Sequence, residues 1–158
     1  MKGMIMDFRK MLAYSLMLLS CLAFACDDDD DDDNVVQFNN IQLRGSNEVP
    51  AVTTSGSGTF NGTYNRDTNI LNYTVTWNFG NPSSSLTGMH FHGPALATAN
   101  APVVIDITPP TANRGSQGTV SGTTRALTEA EESELLSGRW YINVHSTTNP
   151  SGELRGQL

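Results

Sequence analysis

The sequence predicts an all-β fold, an antiparallel β-sandwich of about eight short strands with one short helix near residues 128–137. From residue 35 onward, short segments alternate apolar and polar side chains, which is typical of strands with one buried face. Glycine, asparagine, proline and serine separate these segments, as they do in turns between strands. Residues 35–158 are enough for one such domain with its own hydrophobic core.

The clearest strand is the segment 70–79. Its odd-numbered apolar side chains share one face, and asparagines and threonines occupy the other. The apolar set consists of Leu71, Tyr73, Val75, Trp77 and Phe79. A strand around Phe60 and Tyr64 precedes it, and residues 65–69 have the composition of a hairpin loop. Trp77 and Trp140 each lie on an apolar stripe and are predicted to belong to the core.

The remaining strands are predicted from shorter alternating segments. These are residues 37–43, 86–92, 103–107, 118–124, 139–145 and 153–158. The loop 93–102 is rich in alanine and bracketed by prolines, so we expect it to cross one end of the sandwich.

Residues 127–138 carry the helical signal. Thr128 and Glu131 have the spacing of a capping box, and Gly138 is a suitable C-terminal stop. We expect this helix to close one end of the sandwich and to lead into the strand 139–145.

The first 25 residues have the pattern of a lipoprotein-type signal peptide. Lys2, Arg9 and Lys10 precede the largely apolar stretch 11–25, which is shorter than the roughly 20 residues that a membrane-spanning helix needs. The sequence therefore predicts cleavage of residues 1–25 and export from the cytoplasm.

Cys26 is the favoured lipidation site, and Cys21 is the alternative. The apolar stretch runs up to Cys26, and seven aspartates, residues 27–33, follow it directly. A run of like charges repels itself and cannot pack, so residues 26–34 are predicted to be a lipidated cysteine and an acidic tether. A cysteine followed by acids resembles a surface-export signal of bacterial lipoproteins, which favours the outer membrane or cell surface over the inner membrane. An ordinary secreted protein cut after Ala25 is the remaining alternative.

Beyond the acidic run the chain is nearly neutral, with six arginines, eight acidic residues and no lysine. The arginines form no cluster, which argues against nucleic acid as a partner. No cysteine follows residue 26, so the domain must be stabilised by its core rather than by disulfides.

Three histidines lie on the polar sides of two predicted strands. His90 and His92 are two positions apart and therefore share a face, and His145 follows on another strand. Imidazoles arranged in this way can bind zinc or copper. Glu153 or Glu48 would supply a carboxylate ligand to such a site.

A second interpretation of the same residues is a polar network between strands that binds no metal. In this interpretation the histidines form hydrogen bonds with Glu48, Asn143, Glu153 and Arg155. Alternation along the last predicted strand places Glu153, Arg155 and Gln157 on one face.

Three motifs carry a resemblance to a known family. They are the segments 43–50 (LRGSNEVP), 90–94 (HFHGP) and 141–158 (YINVHSTTNPSGELRGQL). Over residues 36–158 the chain resembles the CHRD domain, which is named for chordin and also occurs in exported bacterial proteins. Ala51 departs from the second proline that is more frequent in the family. The resemblance implies an immunoglobulin-like β-sandwich and an extracellular interaction module.

We therefore expect a cell-envelope lipoprotein that presents a non-catalytic, CHRD-like binding or structural module. Its partners would be the membrane, through the lipid, and an unidentified protein. The alternative is a zinc- or copper-binding protein. A less favoured alternative is a single-metal hydrolase with Glu153 or Glu48 as base. The segment 88–92 is faintly similar to the copper-site strand of copper–zinc superoxide dismutases, but three histidines are too few for a dinuclear site. The sequence contains no nucleophile elbow and no phosphate loop, so no enzyme is predicted.

Overall fold

The computed structural model describes residues 34–158, which form eight strands and one short α-helix. The predicted signal peptide, both cysteines and the aspartate run lie outside the described residues. In chain order the elements are β1 (Val35–Arg44), β2 (Ser57–Asn65), β3 (Ile70–Asn78), β4 (Leu86–His92), β5 (Val103–Asp106), β6 (Gln117–Thr123), α1 (Glu129–Leu136), β7 (Tyr141–Ser146) and β8 (Leu154–Gln157).

All strand pairs are antiparallel, and the strands form one continuous sheet in the order β5-β4-β7-β8-β1-β2-β3-β6. Its middle is the weakest junction, because β1 and β8 pair through Arg44 and Arg155 alone. The sheet curls at this junction, so that β5-β4-β7-β8 faces β1-β2-β3-β6. The prediction of an all-β, sandwich-like fold is confirmed, although one continuous ladder connects the two halves.

Aromatic side chains fill the space between the two halves. The ring of Phe91 on β4 lies 5.8 Å from Phe60 on β2 and 5.6 Å from Tyr73 on β3, both edge to face. Trp140 packs on the other side of Phe91 at 6.1 Å. Trp77 and Trp140 are both buried, which confirms their predicted place in the core.

Local signals placed the hairpin and the helix correctly. The β2–β3 hairpin turns where predicted, and Asn65 Oδ1 accepts hydrogen bonds from the backbone N–H groups of Asp67 and Thr68. Thr128 caps α1, and the Glu131 carboxylate accepts from the Thr128 N–H at 2.9 Å, which completes the capping box. Gly138 follows the helix with a φ of 70°.

The loop 93–102 connects β4 to β5, and its expected path across an end of the sandwich stays a prediction. It folds back over the outer face of β4, β7 and β8, because buried polar side chains of that face bind its backbone. Arg155 donates to the carbonyl oxygens of Leu96 and Ala99, and Gln157 donates to that of Ala95.

Within residues 34–158 the structure contains no helix of sufficient length and hydrophobicity to cross a membrane.

Replacing Phe91 with alanine should lower the free energy of unfolding by about 3–5 kcal/mol, because its fully buried ring joins the two halves of the sheet. Urea denaturation followed by the fluorescence of the two buried tryptophans would measure the loss. Leu96→Ala is the matched control, since that side chain is 65% exposed, and we expect a change within about 0.5 kcal/mol. Equal effects of the two substitutions would contradict this account of the core.

Candidate functional site

The outer face of β4, β7 and β8 brings the sequence-predicted polar residues together. β7 lies between the other two strands, and His90 pairs with Asn143, which pairs in turn with Arg155 on β8. His145 lies opposite Gly88 on β4, so its ring reaches diagonally toward His90. The face is covered by the loop 93–102 and by the segments around Glu48 and Pro150.

The three histidines converge in space. One ring nitrogen from each of His90, His92 and His145 lies within 4.8 Å of the others. The closest approach is 3.2 Å, between His90 Nδ1 and His145 Nε2. Among the described residues, no acidic side chain joins this group of nitrogens.

Backbone carbonyl groups hold two of the rings. His92 Nδ1 lies 3.0 Å from the carbonyl oxygen of Ala101, and His145 Nδ1 lies 2.9 Å from that of Pro150. A carbonyl oxygen only accepts hydrogen bonds, so both Nδ1 atoms carry a proton, and in the neutral ring each Nε2 atom presents a lone pair. The Nε2 atom of His92 is buried and has no hydrogen-bond partner within residues 34–158.

Burial favours the neutral forms of His90 and His92. It lowers the pKa of His90, and the neighbouring His145 lowers it further, whereas Asp106 at 3.8 Å acts in the opposite direction. Burial also lowers the pKa of His92, against a raising effect of its bond to Ala101. The neutral imidazole is the form that binds metals.

One side of the histidine cluster is open to solvent. A shallow depression is lined by the side chains of Asp106, Thr108 and Arg114 together with the rings of His90 and His145. Gly88 also lines it, and a Cβ atom there would lie 3.0 Å from the His90 ring. The glycine therefore leaves this side of the rings uncovered.

Glu48 lies in a separate polar cluster on the same outer face. It is 7% exposed, and its Oε2 accepts a hydrogen bond of 3.0 Å from Asn143 Nδ2. Its Oε1 and Asn143 Oδ1 have no partner among the described residues. Gly152 allows this close approach, because a Cβ there would lie 2.7 Å from Asn143 Oδ1. Burial raises the pKa of Glu48 to about 7, although Asn143 and Arg155 favour its charged form.

Arg155 is almost fully buried and binds the covering loop. Its guanidinium lies 3.6 Å above the centre of the Tyr141 ring and donates to Asn100 Oδ1 at 3.1 Å and to Ala99 O at 2.9 Å. This fork-shaped donor set connects the buried guanidinium to the backbone and to Asn100 of the loop.

Glu153 does not share the surroundings of Arg155, contrary to the prediction from alternation. β8 begins only at Leu154, after Gly152 with a φ of 134°. The Glu153 carboxylate accepts hydrogen bonds from Ser146 and, at 2.6 Å, from Thr54. It therefore lies in a third cluster, away from the group of histidine nitrogens.

The histidines thus bind one another and backbone carbonyls, whereas the polar-network interpretation paired them with Glu48, Asn143, Glu153 and Arg155. Sequence reasoning missed Asp106, which pairs in register with His90 across β4 and β5. It also missed the carbonyls of Ala101 and Pro150. No signal in the sequence marks a backbone carbonyl as a partner, and Asp106 could have been found only if the strand order were known.

Comparison with known proteins gives one match. The family model described as the CHRD domain matches residues 40–158, which cover nearly all of the described part of the chain. No curated protein and no solved structure matches the chain.

Replacing Glu48 with glutamine should remove a pH dependence of stability. Because its pKa is about 7 in the folded protein and 4.5 in the absence of burial, the wild-type carboxyl stabilises the fold at low pH and loses this contribution as the pH rises from about 4.5 to about 7. The loss is on the order of 3 kcal/mol. Urea denaturation of both proteins between pH 4.5 and 8 would measure it. Both proteins contain the same histidines, so the difference between their pH profiles of stability isolates Glu48. Parallel profiles would contradict the raised pKa of Glu48.

Replacing Arg155 with lysine should loosen the covering loop. Lysine keeps the charge but cannot reproduce the forked set of hydrogen bonds, so we expect a loss of about 1–3 kcal/mol and faster amide hydrogen exchange in residues 95–101. The exposed Arg139 provides the control substitution, Arg139→Lys, which should change neither quantity. If amide hydrogen exchange in the loop 93–102 is unchanged in the Arg155→Lys variant, other contacts hold the loop in place.

Proposed function

This chain belongs to the CHRD domain family, and from that premise we propose that it is a non-catalytic binding or structural module held outside the cytoplasm by a lipid on Cys26. The family match carries the proposal. It spans residues 40–158, so the proposal concerns the function of this domain. Such domains are extracellular binding or structural modules.

The contacts of the buried charged side chains support a non-catalytic role. Glu48 is bound to Asn143, Glu153 to Ser146 and Thr54, and Arg155 to the covering loop. All of these groups have structural partners. A single-metal hydrolase would need Glu48 or Glu153 beside the metal as its base, and neither carboxylate belongs to the histidine group. We therefore do not propose hydrolysis.

The sequence ahead of the domain supports the anchor. Cys26 stands at the end of the apolar stretch, and the aspartate run begins at the next residue. Lipid chains bind a bilayer with about 0.8 kcal/mol per buried CH₂ group, and stable anchoring takes more than one chain. The aspartate run would act as a solvated spacer between the lipid and the domain.

Replacing Cys26 with serine should abolish the lipid anchor, because the thiol is the acylation site. Cells supplied with an alkyne-tagged fatty acid should label the wild-type chain, and this chain should partition into the detergent phase. The Cys26→Ser variant should lose the label and remain in the aqueous phase. Cys21→Ser is the matched control and should behave like the wild type. Loss of label in Cys21→Ser alone would move the anchor to Cys21, and an unlabelled wild type would overturn the anchor.

Replacing the seven aspartates with serines tests the expected surface location. We expect the wild-type domain to be digested when protease is added to intact cells and the serine variant to be protected, because the acidic run would act as the export signal. Equal digestion of both proteins would contradict that role of the aspartates. Protection of both proteins would place the domain behind the outer membrane, where the added protease cannot reach it.

A further inference from the structure

We propose that His90, His92 and His145 bind one divalent transition-metal ion, with a fourth coordination position facing the open depression beside them. The ligand atoms would be His90 Nδ1, His92 Nε2 and His145 Nε2. The bound metal ion goes beyond the proposed function of the domain, and its binding does not depend on the lipid anchor.

The first argument is the direction of the free lone pairs. His92 and His145 each use Nδ1 on a backbone carbonyl oxygen, at 3.0 and 2.9 Å. In the neutral rings this leaves both Nε2 atoms with a free lone pair. Metal-binding histidines generally use the second ring nitrogen in this way, since such a bond fixes the tautomer and the ring orientation.

The second argument is a conflict at His90 that a metal ion removes. If His90 Nδ1 carries the proton and donates to His145 Nε2, the His90 Nε2 lone pair faces the Asp106 carboxylate at 3.8 Å. If Nε2 carries the proton, two lone pairs face each other across 3.2 Å. A doubly protonated ring would satisfy both contacts only by placing a charge on a half-buried side chain, which is disfavoured. A cation between the two nitrogens uses both lone pairs and leaves the Nε2 proton for Asp106.

The third argument is the unpartnered nitrogen of His92. This side chain is 9% exposed, and its Nε2 has no hydrogen-bond partner among the described residues. A buried polar atom without a partner destabilises the fold, and a metal bond would offset that cost. Three tetrahedral ligands at about 2.0–2.1 Å from the ion are about 3.3 Å apart. One pair is already at 3.2 Å, and one ring nitrogen from each histidine lies within 4.8 Å of the others, so a small movement of the rings would complete the set.

The fourth argument is access and the choice of metal. Gly88 leaves the rings uncovered toward the depression, where Asp106 and Arg114 also lie. A water molecule or a small anion could enter there and complete the coordination. Three imidazoles favour copper and zinc, and the general order of affinities places Cu²⁺ above Zn²⁺. Calcium and magnesium prefer oxygen ligands, which this group of nitrogens lacks.

The test uses the full chain in detergent, freed of metal with a chelator and then dialysed against Cu²⁺ or Zn²⁺. Wild type is compared with His145→Ala, whose ring is half-buried, and with the matched control Thr87→Ala, an exposed residue that lines the same depression without offering a ligand. The seven aspartates are present in all three proteins, so weak binding to them cancels.

We expect one tightly bound ion per chain in wild type and Thr87→Ala, with a higher affinity for copper than for zinc. His145→Ala should bind at least about 10-fold more weakly. Asp106→Asn should also weaken metal binding by about 10-fold, because the Asp106 carboxylate orients the His90 ring. The electron paramagnetic resonance spectrum of the copper-loaded wild type should show coupling to imidazole nitrogens.

The proposal is overturned if wild type and His145→Ala bind equally, or if the copper spectrum shows oxygen ligands alone. Circular dichroism checks that each variant is folded. Should His145→Ala unfold, the wild-type spectrum and Asp106→Asn still decide the question. Added metal should also raise the melting temperature of wild type, and absence of any shift at saturating metal would count against the site. Cys26→Ser should bind metal normally, so failure of the anchor and failure of the metal site are distinguishable.

Discussion

Strand β7 is buried on both faces, and the rest of the structure follows from this constraint. Its inner side chains, Ile142 and Val144, lie in the apolar core. Its outer side chains, Tyr141 and Asn143, are polar and almost equally buried. Polar groups removed from water need hydrogen-bond partners, so this face had to be covered by segments that supply them. The chain does so with three loops, and their paths are set by the polar side chains beneath them.

Arg155 shows how this polar layer stabilises a domain without disulfides. Its guanidinium stacks on Tyr141 and binds the loop 93–102, and Asn100 of that loop in turn donates to the carbonyl oxygen of Val49 at 2.7 Å. The same loop presents the Ala101 carbonyl to His92. The network that fixes the covering loops therefore also fixes a histidine ring, which couples the stability of the domain to the geometry of the histidine cluster.

Most of the fold could be predicted because its signals are local. Alternation located the strand 70–79, found as Ile70–Asn78, and the capping box located α1. The features that could not be predicted depended on distant residues. The path of the loop 93–102 is set by Arg155, 56 positions after Ala99. Glu153 does not share the face of Arg155, because Gly152 takes a positive φ just before the strand begins. Side-chain alternation applies only within a strand and cannot predict such a change of direction.

By itself the sequence determined an all-β domain of the CHRD family with no cysteine after residue 26. It also determined which strand faces carry His90, His92 and His145. Side-chain alternation is a property of the extended backbone and needs no knowledge of the partner strands. Only the tertiary structure decided that β4 lies beside β7, so that nitrogens 55 positions apart approach to 3.2 Å. It also assigned Glu48 and Glu153 to other clusters. Strand order and loop paths are long-range choices, made by the packing of the whole domain.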